Sequence, residues 1–461
     1  MVQVQELIEQ ALAESAADGC VVVAAEHTET NLRWAGNSLT TNGQMHSRSM
    51  TVISTFDGAD GSRAGVVTRS ISTPEELTEL VRSSERSGRQ ESVSDDAAPL
   101  IENYENDDDW SADPATTSVA VFDQFAPALG AAFTHWASTE RLLFGFAEHK
   151  MTSTFLATST GLRRRFDQPD GRLEINGKSM DLSRSAYAST HASDFSTVNV
   201  DSLIAELERR LHWAGKSIEL PAGRYETILP PSTIADLMVY AYWTASARDA
   251  EEGRNVYAKS DGKTRIGEVL SSLPLRLYSD PSHAALECAP FVIATESFGG
   301  LMSVFDNGAP SGAVDWIRDG TLQNLVRTRG WAARSGGQAR AAGDNLILDG
   351  GGTASVDEMV TNTERGLLLT CLWYIREVDP QTLLLTGLTR DGVYLVENGQ
   401  VQGAVNNFRF NESPIDLLGR VTEVSATELA MSREWSDYFR RTAMPAMRIP
   451  DFNMSTVSQA S

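Results

Sequence analysis

Residues 344–370 read DNLILDGGGTASVDEMVTNTERGLLLT, and their pattern sets the class of the C-terminal half. A short apolar run, Asn345–Leu348, fits a buried strand. The triple glycine Gly350-Gly351-Gly352 permits a sharp turn out of it. Ser355, with Glu358 three residues on, forms a capping box that predicts a helix start. The apolar run Leu367–Trp373 then predicts another strand, with Cys371 buried in its middle. Two hairpins flank this stretch. Trp316–Leu322 turns at Asp319-Gly320 and Tyr394–Val401 at Asn398-Gly399, dipeptides that accept the positive φ of a type I′ turn. One helix, from Ser232 to about Ala247, precedes them. Residues 221–461 are therefore expected to form a strand-rich, mostly antiparallel domain.

Upstream the texture differs. An amphipathic helix with Leu7, Ile8, Ala11 and Leu12 on one face is expected to end at Gly19. Strands follow at Cys20–Ala25, Asn31–Trp34, Ser49–Phe56 and Arg63–Ile71, with turns at Thr41-Asn42-Gly43 and at residues 57–61. Thr73 and Glu76 form a second capping box, with Pro74 in the first helical position. Beyond it lie a helix from Phe125 to Phe146 and strands at Thr152–Thr160 and Leu173–Leu182. A final helix carries Val200, Leu203, Ile204, Leu207 and Leu211 on one stripe. Residues 1–220 thus read as an N-terminal α+β domain, and the fold class of the chain as α+β. Nine acidic residues and no Lys or Arg lie between Glu91 and Asp113. The region of about 91–118 is expected to be a solvated acidic linker or long loop; a nucleic-acid mimic or partner-docking tail is the alternative.

The chain has 461 residues, 39 Lys+Arg against 62 Asp+Glu, and a formal net charge of −23. Such a balance opposes binding to phosphate backbones. The first basic residue is Arg33, so the charged region of a secretory signal is missing. The uncharged stretch Gln124–Thr139 is shorter than the roughly 20 apolar residues of a membrane span. The three cysteines, Cys20, Cys288 and Cys371, do not make a disulfide framework. The expectations are a cytoplasmic location, no membrane and no nucleic acid.

Catalytic motifs are missing. Of the seven histidines, the closest in sequence are His135 and His149, and none is followed by Glu, which excludes H-E-x-x-H and its one-residue-longer relative. Gly262-Lys263-Thr264 matches only the tail of a P-loop, with Tyr257 in the leading glycine position, and Asp261-Gly262 reads as a turn. Position 355 is Ser, so the triple glycine is not a dinucleotide fingerprint. No G-x-S-x-G elbow occurs.

The stretch GRYETILPP (223–231) leading into the Ser232 helix, the segment LYSDP (277–281), WIRDGTLQNLV (316–326), the opening 344–370 stretch and DGVYLVENGQV (391–401) resemble, in this order, the TldD/PmbA metallopeptidase family. In that family one subunit type carries an H-E-x-x-x-H helix and a downstream Cys that bind the metal. The other, the PmbA (TldE) type, lacks them. Here the corresponding helix reads STIADLMVYAYWTAS, without His, Glu or Cys, and the end around AMPAMRIPDFNMS has no Cys. The resemblance therefore implies a PmbA (TldE)-like, non-catalytic subunit with no catalytic residue, metal ligand or cofactor of its own. Its implied partner is a TldD-like zinc-bearing subunit, or a second copy in its absence. Unfolded or extended peptides would be the substrate, bound by strand addition. The competing expectation is a stand-alone regulatory protein of the DNA gyrase modulator kind, without protease activity. Arg327, Arg329, Trp331 and Arg334 form a basic, Gly-flanked patch and are the candidate peptide contacts.

Overall fold

The computed structural model describes residues 2–71, 73–102, 106–260, 262–390 and 392–458. The Asp261 half of the expected Asp261-Gly262 turn, Asp391 of the 391–401 stretch, and residues 103–105 of the acidic segment lie outside them.

The N-terminal half is one six-stranded antiparallel sheet of order β3-β2-β1-β4-β5-β6. Its strands are β1 (Gly19–Trp34), β2 (Leu39–Gly58), β3 (Gly61–Arg69), β4 (Arg141–Thr158), β5 (Arg163–Ser179) and β6 (Ser185–His191). They are much longer than the sequence suggests. Thr41-Asn42-Gly43 is not a turn but part of β2, because β1 pairs with it continuously from Gly19↔Thr55 to Arg33↔Thr41. The chain reverses instead at Ala35–Ser38, where Gly36 and Asn37 take positive φ. The first helix, α1 (Val4–Glu14), ends before Gly19, which opens β1. The helix expected from Phe125 to Phe146 stops at Ser138 (α3, Phe125–Ser138), and β4 begins at Arg141. β3 pairs with β2 over Met50–Gly58 only, so among the described residues no strand lies outside residues 39–49 of β2, which are mostly exposed.

Period-two alternation divides the two faces of this sheet. Val22, Ala24, Met50 and Val52 pack on α1 and on α2 (Pro74–Gln90). Further along β1 and on β4 and β5, Leu32, Trp34, Leu143 and Leu173 pack on α3 and on α4 (Val200–Trp213). The other face, through Val21, Val23, Ile53 and Leu156, meets Phe291, Val304 and Phe305 of the C-terminal half. Both expected details of α2 are present: the Thr73 hydroxyl accepts from the Glu76 amide while the Glu76 side chain caps Thr73. The helix lies so close to β3 that a Cβ on Gly65 would come within 2.1 Å of Gly88 N and Ser84 O.

The C-terminal half holds two further sheets around one apolar core. The first joins Thr321–Leu322, Val314–Arg318, Arg276–Ser279, Leu346–Asp349, Thr442–Met444 and Glu428–Ala430. The second runs Trp373–Asp379, Leu384–Thr389, Phe408–Glu412, Met447–Val457, Gly223–Leu229, Arg365–Leu369, Val393–Glu397, Gln400–Val405 and Ser217–Ile218. Most pairs are antiparallel, and three are parallel. Both DG and NG hairpins form, with φ of 49° and 71° at Asp319 and Gly320 and 52° and 74° at Asn398 and Gly399. The helix α5 (Pro231–Trp243) packs in the core between the sheets and is apolar almost all round. It ends at Trp243, and a separate short helix, α6 (Ala247–Glu251), follows. Much of residues 252–313 is irregular rather than strand. The Leu367–Trp373 run is not one strand: it splits into Arg365–Leu369 and Trp373–Asp379, with buried Cys371 in the connection.

Candidate functional site: an aromatic cleft at the end of helix α5

Pro230 and Pro231 start α5, where missing N–H groups cost nothing. Its core-facing residues include Ile234, Leu237, Met238 and Val239, and among them sits one acid, Asp236, with no solvent exposure. A buried carboxylate requires partners. The Asp236 Oδ1 accepts the Ser432 hydroxyl at 2.6 Å and the Glu434 N–H at 2.9 Å. The Trp435 indole N–H donates to the Asp236 backbone carbonyl at 2.9 Å. Burial pushes the Asp236 carboxyl up to about 7, against the opposing effect of these hydrogen bonds and of Arg433.

These bonds hold a strap, residues 431–441, across the end of α5. Its far side is held by charge to the N-terminal sheet. Arg440 donates to Glu148 at 3.0 Å, Arg172 to Asp437 at 2.5 Å and Arg441 to Asp170 at 3.4 Å. Between strap and helix opens a cleft of about 570 Å³. Tyr240, Tyr242 and Trp243 come from α5, Trp435, Tyr438 and Phe439 from the strap, and Phe298, Leu301 and Met302 from a turn opposite. The rings meet edge-on or tilted: Tyr240–Trp435 at 5.4 Å and Trp243–Trp435 at 5.3 Å. The Tyr242 hydroxyl is satisfied by the backbone of Gly343, accepting its N–H at 2.6 Å. Tyr240 also reaches the backbone of Glu377 in Trp373–Asp379, the edge strand of its sheet.

This surface does not suit zinc. Asp236 is the one carboxylate on α5, its Oδ1 is engaged beneath the cleft, and apart from Asp344 the lining is aromatic, aliphatic or neutral. Among the described residues no group of three or more His, Cys, Asp or Glu side chains converges as a metal site.

The four residues singled out in the sequence do come together, though not at this cleft. Arg327 precedes Thr328, whose hydroxyl caps a short helix, α7 (Arg329–Ser335), that carries the other three. Arg327 and the Trp331 indole both donate to Glu251, each at 2.6 Å. Arg329 donates to the carbonyls of Phe305 and Pro99, and Arg334 to Asp95 at 2.7 Å. Their intramolecular partners thus include the acidic segment. In its described residues that segment is a long loop, packed against the body in places rather than wholly solvated: Asp96 is buried and accepts the Thr328 hydroxyl, and Asp107 pairs with Arg164. A Cβ on Gly330 would strike the Asp96 backbone at 2.4 Å. The aromatic cleft itself went unread in the sequence. Its local signals were the aromatic clusters Tyr240-Ala241-Tyr242-Trp243 and Trp435–Phe439, and a lone acid in an otherwise apolar helix.

A family model described as the PmbA/TldA metallopeptidase C-terminal domain matches residues 222–456. The chain belongs to the PmbA/TldD metallopeptidase family. It is similar in structure to TldE from Thermococcus kodakarensis, with a TM-score of 0.78 at 15% identity, covering 97% of this chain and 99% of that one. A proposed modulator of a DNA gyrase from Thermotoga maritima gives a TM-score of 0.76 at 15% identity, covering 97% and 99%. Another from Bacteroides thetaiotaomicron gives 0.76 at 12% identity, covering 98% of each chain. At these identities the likeness is one of fold. No curated protein matches the chain. No helix among the described residues is long and apolar enough to cross a membrane.

Proposed function

We propose that this chain is a non-catalytic partner subunit of a heteromeric TldD/PmbA-type metallopeptidase acting on unfolded or extended peptides, with zinc carried by the sibling subunit. The supporting observation is α5: where the resemblance places a metal-binding helix, this chain has a core helix whose open end is an aromatic wall. An apolar cleft beside the edge strand Trp373–Asp379 suits holding a peptide rather than hydrolysing it. The stand-alone regulator reading, with the acidic segment mimicking DNA, is less well supported, because Asp95, Asp96 and Asp107 are engaged within the chain.

The test mixes this chain with an H-E-x-x-x-H sibling. Association should raise the melting temperature, since a partner that binds only the folded form stabilises it by mass action. Hydrolysis of an unstructured peptide should appear in the mixture and vanish when the sibling's Glu is replaced. Elemental analysis of the isolated chain should find no stoichiometric zinc. Equal cleavage by this chain alone would overturn the reading.

A further inference from the structure

Among the described residues only three aromatic side chains are exposed: Tyr438 at 79%, Phe298 at 64% and Tyr374 at 51%. Single exposed apolar residues are ordinary on protein surfaces, but these are not scattered. Tyr438, on the strap, and Phe298, on the opposite turn, line the same cleft. Tyr374 lies on the edge strand that Tyr240 touches. The Phe298 turn is built for its position, with Gly299 and Gly300 both at positive φ and Phe298 N–H bonded to the Met302 carbonyl at 2.9 Å.

The floor between these rings is fixed and already satisfied. The Trp435 indole N–H is bound to the Asp236 carbonyl and the Tyr242 hydroxyl to Gly343. At these two positions an occupant meets the carbon faces of the rings rather than a free donor. A volume of about 570 Å³ lies in the range of small-ligand sites and accommodates a large side chain with its flanking backbone. Of the lining residues, Asp344 alone carries a formal charge. Its carboxylate is 66% exposed, with Arg441, which donates to the Asp344 backbone carbonyl at 3.1 Å, 4.0 Å away. With a chain charge of −23, the rim favours a cation next to the apolar anchor and disfavours an anion.

We propose that the cleft binds one aromatic or large aliphatic side chain of an extended peptide whose adjacent residue is basic. This rests on the peptide-holding reading above and names the sequence class it selects. A concave pocket with one charge at its rim fits a side chain better than it fits the broad, flat patch of a subunit contact.

Unstructured Gly/Ser-rich peptides carrying Phe-Arg, Ala-Arg or Phe-Glu, titrated against the full chain by fluorescence anisotropy, provide the test. The Phe-Arg peptide should bind about tenfold or more tighter than the other two. Phe298→Ala and Tyr438→Ala should each weaken it by about tenfold, while the melting temperature holds, since both rings are mostly exposed. Asp344→Asn should abolish discrimination between Phe-Arg and Phe-Glu. Equal binding of Ala-Arg and Phe-Arg, or indifference to both ring deletions, would overturn the proposal. So would loss of sibling association in the two variants with peptide binding unchanged, which would make the cleft a subunit contact. If the sibling never associates yet the peptide preference is found, the partner reading fails and this one stands.

Discussion

The Asp236 carboxylate of α5 and the Ser432 hydroxyl of the strap lie 2.6 Å apart, both fully buried, and this bond fixes one wall of the cleft to its floor. The second carboxylate oxygen has no hydrogen-bond partner among the described residues. Burial raises the Asp236 carboxyl from 3.8 to about 7, so between these values the folded chain binds a proton that the unfolded chain does not. The stability this group contributes is complete below about pH 4 and falls as pH rises to about 7. Asp236→Asn keeps the oxygen that accepts from Ser432 and Glu434 while abolishing the titration. The difference in unfolding free energy between variant and parent should therefore shift in favour of Asn from pH 4 to 7, then level off. Denaturant melts at several pH values measure this, and a pH-independent difference would contradict it.

Glu251 accepts from both Arg327 and the Trp331 indole, with Arg327 only 10% exposed. Glu251→Ala leaves the buried Arg327 guanidinium with the Ser335 hydroxyl but without its carboxylate, and takes the acceptor from the Trp331 indole N–H, at an expected cost of about 2–3 kcal/mol. Asp95→Ala, which removes a partner of Arg334 and Arg248 at a carboxylate 53% exposed, should cost no more than about 1 kcal/mol. Urea unfolding of both variants distinguishes the two environments.

Gly65→Ala drives a methyl into the backbone of α2 at 2.1 Å, where neither Gly88 N nor Ser84 O can retreat without breaking the helix contact. A loss of about 3 kcal/mol or more is expected. Gly130, inside α3, offers the contrast: a Cβ there meets nothing within 4 Å. Gly130→Ala should stabilise by up to about 1 kcal/mol. Thermal melts of the pair should move in opposite directions.

With a net charge of −23, the chain should show no appreciable affinity for duplex DNA at physiological salt. A salt-dependent micromolar gel shift would contradict this.

What was legible in the sequence was local. Asp319-Gly320 and Asn398-Gly399 turn where they should, because each dipeptide sets its own φ. Thr73 and Ser355 cap their helices because the partner Glu is three residues away. The misreadings arose where distant chain decides. Thr41-Asn42-Gly43 carries turn residues, yet Arg33, Leu32 and Asn31 opposite hold it in a ladder. The arginines of the 327–334 patch read as open to ligand because Glu251 and Asp95, their partners, stand 76 and 239 residues away. The cleft has walls from residues near 240, 300 and 438, a convergence that no periodicity reports. Asp236 is an acid among core residues, and its meaning depends on Ser432, 196 residues away.

The register of β4 has a further consequence for how this protein tolerates change. Glu148 faces Arg440 of the strap, whereas its neighbour Ala147 is buried against α3 and α4. Because side chains alternate strictly along a strand, inserting or deleting one residue upstream within β4 would exchange the two. The strap would lose one of its anchors, and a carboxylate would enter the helical core. Length variation among relatives should therefore be purged from Arg141–Glu148 and gather in the reversals at Ala35–Ser38 and Thr139–Glu140, where it leaves the cleft undisturbed.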